Sequence, residues 1–180
     1  MAFVKQILVS LWEVLEVVVI AVLTVFVIRT FLIQPFLVSG ASMEPNVQQN
    51  NYLIIDELTY HFREPQRGEV VVFRYPGDPS TFYIKRIMGL PGETVSFAGG
   101  KVLVDGEVVD ESGYLRGADT QGAVRVTLAP GTYFVMGDNR ANSYDSRAWG
   151  PLDRRLIVGK ALIRLYPFDH ITVFADPQYQ

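Results

Sequence analysis

Between Ile7 and Ile28 the chain carries only two ionisable side chains, Glu13 and Glu16, and the run Val17–Ile28 (VVVIAVLTVFVI) has none. At 1.5 Å per residue a helix of this length spans ~33 Å, enough to cross a hydrocarbon core of ~30 Å. Glu13 and Glu16 lie one turn apart on one face, in the first half of the segment, where long acidic side chains can reach an interface or a partner. A buried helix of a soluble domain is the competing reading, and a cleavable leader is another, because Ser39-Gly40-Ala41 has small residues in the spacing found before a cut. Arg29, Pro35 and the bulky Phe31, Leu32, Phe36 and Leu37 intervene, so the segment is read as an uncleaved membrane anchor. Lys5 before it and Arg29 after it encode orientation weakly.

Beyond Ser39 the pattern changes to short β-branched and aromatic runs punctuated by Gly and Pro: Tyr52–Asp56, Glu69–Tyr75, Phe82–Met88, Val102–Val104 with Glu107–Val109, Val124–Leu128 and Thr132–Met136. The Asp105-Gly106 pair between VLV and EVV predicts a hairpin with a type I′ turn. Leu156–Tyr166 reads as a strand pair or as one strand bent at Gly159. With no repeat or long linker, the part after the anchor is expected to be one antiparallel β structure.

Composition narrows the chemistry. Sixteen basic and nineteen acidic residues give a net charge of −3, which argues against a nucleic-acid partner. There is no cysteine, and His61 and His170 are the only histidines. Thiolate nucleophiles, Cys-ligated metals and His-rich metal sites are thereby excluded, and no cofactor or metal is expected. Any reaction must run on hydroxyls, amines, guanidines and carboxylates.

Three segments stand out from packing. Ser39-Gly40-Ala41-Ser42-Met43-Glu44-Pro45 presents a hydroxyl among small residues that permit close backbone approach; alone it is an ordinary Gly/Ser turn. In Tyr83-Ile84-Lys85-Arg86-Ile87-Met88-Gly89-Leu90-Pro91-Gly92-Glu93, Lys85 points to the opposite face from Ile84 and Arg86. The chain has four lysines against twelve arginines, and both Lys85 and Lys160 lie in apolar strands. A lysine deprived of hydration has a lowered pKa and can act as a neutral base; a strand lysine that snorkels to solvent is the more ordinary outcome. Gly137-Asp138-Asn139-Arg140-Ala141-Asn142-Ser143-Tyr144-Asp145-Ser146-Arg147 follows the apolar TYFVM as a polar loop, either functional or a solvated turn.

Taken together, Gln34-Pro35-Phe36 leading to SGASMEP, then RGEVVVF from Arg67, YIKRIMGLPGE from Tyr83 and GDNRANSYDSR from Gly137 resemble, in order, the bacterial type I signal peptidases, membrane-bound serine proteases with a Ser/Lys dyad. The resemblance implies Ser42 as nucleophile and Lys85 as general base. It implies Ser143 as the hydroxyl orienting the lysine, Asp145 and Arg147 as a charged pair holding the framework, and Gly137 and Asp138 as a turn crowding the base. A desolvated lysine is chemically suited to take the serine proton. The resemblance further implies that Phe36, Val38, Met43, Val47, Tyr83 and Ile84 line two shallow apolar pockets selecting a small-x-small sequence, with the substrate added as a strand beside Tyr83 and Lys85. Some members carry a second serine two residues before the nucleophile; here that position is Gly40, leaving the Ser42 backbone N–H for the oxyanion, with Ser39 as a substitute. Ala141 stands where an acidic residue is common.

The expectations are then a mostly β fold: an N-terminal transmembrane helix followed by an antiparallel β-sheet or half-barrel catalytic domain with a small hairpin extension. Residues 1–6 form a short cytoplasmic N-terminus, 7–28 the anchor and 29–180 the extracytoplasmic catalytic domain, with the extension around 94–128. The activity expected is removal of N-terminal signal peptides from exported preproteins through an acyl-enzyme, at the bacterial cytoplasmic (inner) membrane, in contact with the lipid bilayer and near the protein-export machinery. Two alternatives compete: a self-cleaving repressor protease with the same Ser/Lys chemistry, which would need a DNA-binding N-terminus, and a membrane-anchored β module that only binds partners.

Overall fold

The computed structural model describes residues 2–31, 33–115, 117, 119–122, 125–167 and 171–174. Leu32, Val124 and His170, each part of a reading above, lie outside the described residues. A helix α1 (Ala2–Phe31) leads into β1 (Ile33–Leu37) and β2 (Tyr52–Asp56), then a one-turn helix α2 (Thr59–Phe62), β3 (Val70–Tyr75) and β4 (Asp78–Gly89). There follow β5 (Thr94–Ala98), β6 (Lys101–Val104), β7 (Glu107–Val108), β8 (Arg125–Thr127) and β9 (Thr132–Met136). A short α3 (Ser146–Trp149), β10 (Leu152–Asp153), β11 (Ile157–Tyr166) and β12 (Thr172–Val173) complete the described order.

All strand pairs are antiparallel, as expected of a mostly β chain. The larger sheet runs β1-β2-β11-β3-β4-β9-β10, with β12 on β11, and the smaller runs β7-β6-β5-β8. The continuous apolar run of β3 is explained by burial on both faces. Val70 and Val72 join Val38, Met43, Val47, Leu53 and Ile55 in one core. Val71 and Phe73 face a second with Ile87, Tyr133 and Val135. A third core, Met88, Val95, Val102, Leu128, Phe134 and Met136, joins the smaller sheet to the ends of β4 and β9.

Several elements refine the sequence reading. Asp105 and Gly106 both have positive φ (51° and 91°), the requirement of the type I′ hairpin turn. Within Leu156–Tyr166, Ile157–Tyr166 is one bent strand rather than a pair, with its register shift against β3 falling between Ile157 and Gly159. A side chain at Gly159 would stand 2.5 Å from the Asp56 carbonyl oxygen, so the bend packs directly onto β2. Strands β1, β5, β10 and β12 were not anticipated: Pro35 masks β1, and proline is tolerated there because β1 ends the sheet order.

α1 covers the expected anchor, but side chains are described continuously only from Ser10 to Val25, and all of these are exposed. That stretch is ~24 Å long. Among the described residues no helix is long and apolar enough to cross a membrane.

Candidate active site

Ser42 sits in the turn that follows β1. The turn is fastened by Val38 N–H to Asn51 O (3.0 Å) and Val47 N–H to Met43 O (2.9 Å). The polar loop grips it from the other side: Asn139 N–H donates to Ser42 O at 3.0 Å, and Asn139 Nδ2 to Ala41 O at 3.1 Å. Gly40 has φ of 102°, with open space where a side chain would be. A serine there would be strained by the backbone alone, which accounts physically for the missing second hydroxyl. No hydrogen bond from the Ser42 backbone N–H is found among the described residues, so that donor is available. Ser39 lines the same cleft and is exposed.

Lys85, from the middle of β4, is 4% exposed. Its Nζ donates to Ser42 Oγ at 2.7 Å and to Ile84 O at 2.8 Å, and it lies 5.3 Å from the Tyr83 ring centre. Burial lowers its pKa from 10.5 to about 8, against the opposing pull of the Asp145 and Asp138 charges. The two strand lysines therefore differ in kind. Lys160 stands 3.3 Å from buried Glu69, which is also held by Arg63 and Tyr60, whereas Lys85 has no ion-pair partner among the described residues.

Three buried ion pairs hold the loop, one of them between Arg140 and Glu111. Asp145 accepts from Arg147 Nε and Nη2, both at 2.8 Å, and from Gly137 N–H at 2.9 Å. These donors keep its carboxyl below the usual carboxylate range despite burial. Asp138 accepts a fork from Arg86 (2.8 and 2.7 Å) and a bond from Asn46 Nδ2 (2.8 Å). A side chain at Gly137 would collide with Ser143 Oγ and the Ser42 carbonyl oxygen, so only glycine lets the loop close on the serine.

Two placements correct the expectations. Ser143 Oγ donates to Asp145 Oδ2 at 2.7 Å and makes no hydrogen bond to Lys85; the nearby carboxylate is the stronger acceptor. Met43 and Val47, 1% and 0% exposed, turn into the core beneath the site instead of lining a pocket. Tyr83 lies on the opposite face of β4 from Ile84, packed against the second core, and lines the cleft from there.

The cleft itself has a volume of about 680 Å³. Phe36, Val38, Ser42, Tyr83, Ile84, Lys85 and Ser143 line it, joined by Leu37, Leu53, Phe82 and Tyr144, which the sequence reading missed. Also missed were Arg86 and the pairing of Arg140 with Glu111 and Thr120. Arg86 left a signal: an arginine in so apolar a strand requires a buried partner. Among the described residues no group of three or more His, Cys, Asp or Glu is arranged to hold a metal ion.

Known proteins resemble this chain along most of its length. Residues 11–166 match the family described as signal peptidase, peptidase S26. A signal peptidase I of Leptolyngbya laminosa is 37% identical over 148 residues, covering 78% of this chain and 72% of that protein. A probable signal peptidase I-2 of Synechocystis is 39% identical over 145 residues, covering 77% of this chain and 66% of its own length. The crystal structure of a signal peptidase I from Enterococcus faecalis V583 aligns with 54% of this chain and 97% of that one, at 27% identity and a TM-score of 0.48. The class is that of a serine endopeptidase. The chain belongs to the signal peptidase family, peptidase S26, which bears out the resemblance drawn from the four motifs and sets aside the repressor and binding-module alternatives.

Proposed function

We propose that this chain removes N-terminal signal peptides from exported preproteins, cutting after a small-x-small sequence, with Ser42 as nucleophile and Lys85 as general base. The observation that carries the reading is the 2.7 Å contact between Lys85 Nζ and Ser42 Oγ in a site that brings the amine's pKa to about 8. Neutral Lys85 takes the Ser42 hydroxyl proton as Oγ attacks the substrate carbonyl, and the Ser42 backbone N–H receives the developing oxyanion. The resulting ammonium gives its proton to the departing amine, which becomes the N-terminus of the mature chain. Lys85 then deprotonates a water that hydrolyses the acyl-enzyme and frees the signal peptide. Asp145, Arg147, Asp138 and Gly137 keep the loop against the serine, and Ser143 acts through Asp145.

Among the described residues, 81–85 of β4 have no strand partner on their second edge, since β9 pairs only from Arg86 onward, and β1 ends the sheet. An extended substrate lies along these edges by strand addition. Ile84, Phe36 and Val38 face its two small residues. The anchor reading extends this placement: the uncharged stretch Val17–Val25 of α1 is exposed, which suits a single pass with residues 1–6 in the cytoplasm and 29–180 outside. The lipid bilayer and the export machinery are its surroundings in this reading, at the bacterial cytoplasmic membrane.

Incubation of the full chain in detergent with a preprotein tests the proposal. Wild type is expected to release a signal peptide ending in small-x-small, identified by mass, while Ser42→Ala and Lys85→Ala do not. Cleavage by either variant, or cuts without regard to small residues, would remove the dyad or the specificity from the proposal.

A further inference from the structure

Three tyrosines beside the catalytic pair have no part in the chemistry above. Tyr83 precedes Ile84 and faces the other side of β4, as its register neighbour Phe73 does on β3. Tyr75 stacks on Tyr83 with ring centres 4.8 Å apart and planes 21° from parallel. Tyr144, from the polar loop, meets Tyr75 edge-on at 6.0 Å, with the Tyr75 hydroxyl donating to that of Tyr144 at 3.4 Å. Trp149 supports Tyr75 from behind at 6.3 Å. Tyr144 nevertheless stays 54% exposed and lines the cleft. A large ring is thus held in place by its neighbours with much of its surface unused.

Resting on the proposed strand addition, period-two geometry assigns this surface. A substrate strand beside residues 81–85 sends alternate side chains to opposite faces, and directly opposed residues share a face. If the two small residues occupy the face of Phe82 and Ile84, the residue between them occupies the face of Tyr83. We infer that Tyr144, backed by Tyr75 and Tyr83, is a specificity-determining residue that contacts the middle residue of the cleavage site and favours an aromatic or long aliphatic side chain there. Ring contacts of this kind correspond to a preference of about three- to tenfold.

The test uses detergent-solubilised full-length protein and peptides with an Ala-x-Ala site, comparing kcat/KM for x = Phe and x = Gly. Wild type should favour Phe about three- to tenfold, mostly through KM. Tyr144→Ala should bring the ratio close to one, and Tyr144→Phe, which keeps the ring, should retain it. A wild-type ratio near one, a ratio untouched by Tyr144→Ala, or one lost equally in Tyr144→Phe overturns the inference. Failure to cut any Ala-x-Ala peptide would take down the proposed function as well, so the two failures are told apart by whether cleavage occurs at all.

Discussion

The polar loop 137–147 and the cleft edge of β1 and residues 81–85 lie side by side and treat polar groups in opposite ways. Both carboxylates of the loop, Asp138 and Asp145, are buried and fully engaged by guanidinium forks and amide donors. Along the edge, a row of backbone groups is left without a strand partner among the described residues. One region uses its polar groups to fix a shape, and the other leaves them open along an edge, where the proposed substrate strand would add. Lys85 stands at the seam and belongs to neither: it is buried like the loop's charges but has no counter-ion.

Substitutions can break this contrast at either end. The largest effect is expected at the seam. Ser42→Ala, Lys85→Ala and Lys85→Arg should each lower preprotein turnover on the order of 10⁴-fold or more, with thermal unfolding little changed. The arginine variant fails because guanidinium stays protonated at any working pH. In the loop, Asp145→Ala strands Arg147 and the Gly137 N–H and should cost about 3–5 kcal/mol of stability, read by denaturant unfolding, with turnover falling alongside.

The pH dependence sharpens the position of Lys85. Its neutral fraction grows until the pH passes about 8, so kcat/KM should climb by up to about tenfold per unit below that point and level off above it. A limb that instead follows a carboxylate would displace Lys85 as the base. The stability sign follows from the same numbers. Between about 8 and 10.5 the unfolded chain keeps the Lys85 proton and the folded chain has lost it, so wild type should gain stability with rising pH in that window. Lys85→Met should lack this increment in parallel unfolding curves. The smallest effect is expected at the edge: Leu37→Ser, at a residue 56% exposed, should alter stability by no more than about 0.5 kcal/mol while raising KM.

What could be read in advance was whatever a short stretch of chain encodes by itself. The β-branched runs that became β2, β3 and β9 announce strands, and the residues of the polar loop that meet Asp145 lie within a few positions of it. Pairings across the fold were not legible. Arg86 reaches Asp138 from 52 residues away and Arg140 reaches Glu111 from 29, and no local pattern selects those partners. The resemblance placed Met43 and Val47 in a pocket, yet Val47 N–H bonds back to Met43 O. That turn carries both side chains inward, into the core. Ser143 was assigned to Lys85 through the resemblance, and only the three-dimensional arrangement shows its hydroxyl on Asp145 instead.

The segment between β7 and β8 places Glu111 and Thr120 on the buried guanidinium of Arg140, and the Tyr114 ring 4.0 Å from that of Arg86. A compact version of this protein, made by excising the smaller sheet as a dispensable appendage, would therefore take away the counter-charge of one loop arginine and the cover of the arginine that holds Asp138. Such a truncation would have to neutralise Arg140, or supply it with a new acid, before the loop could close on Ser42.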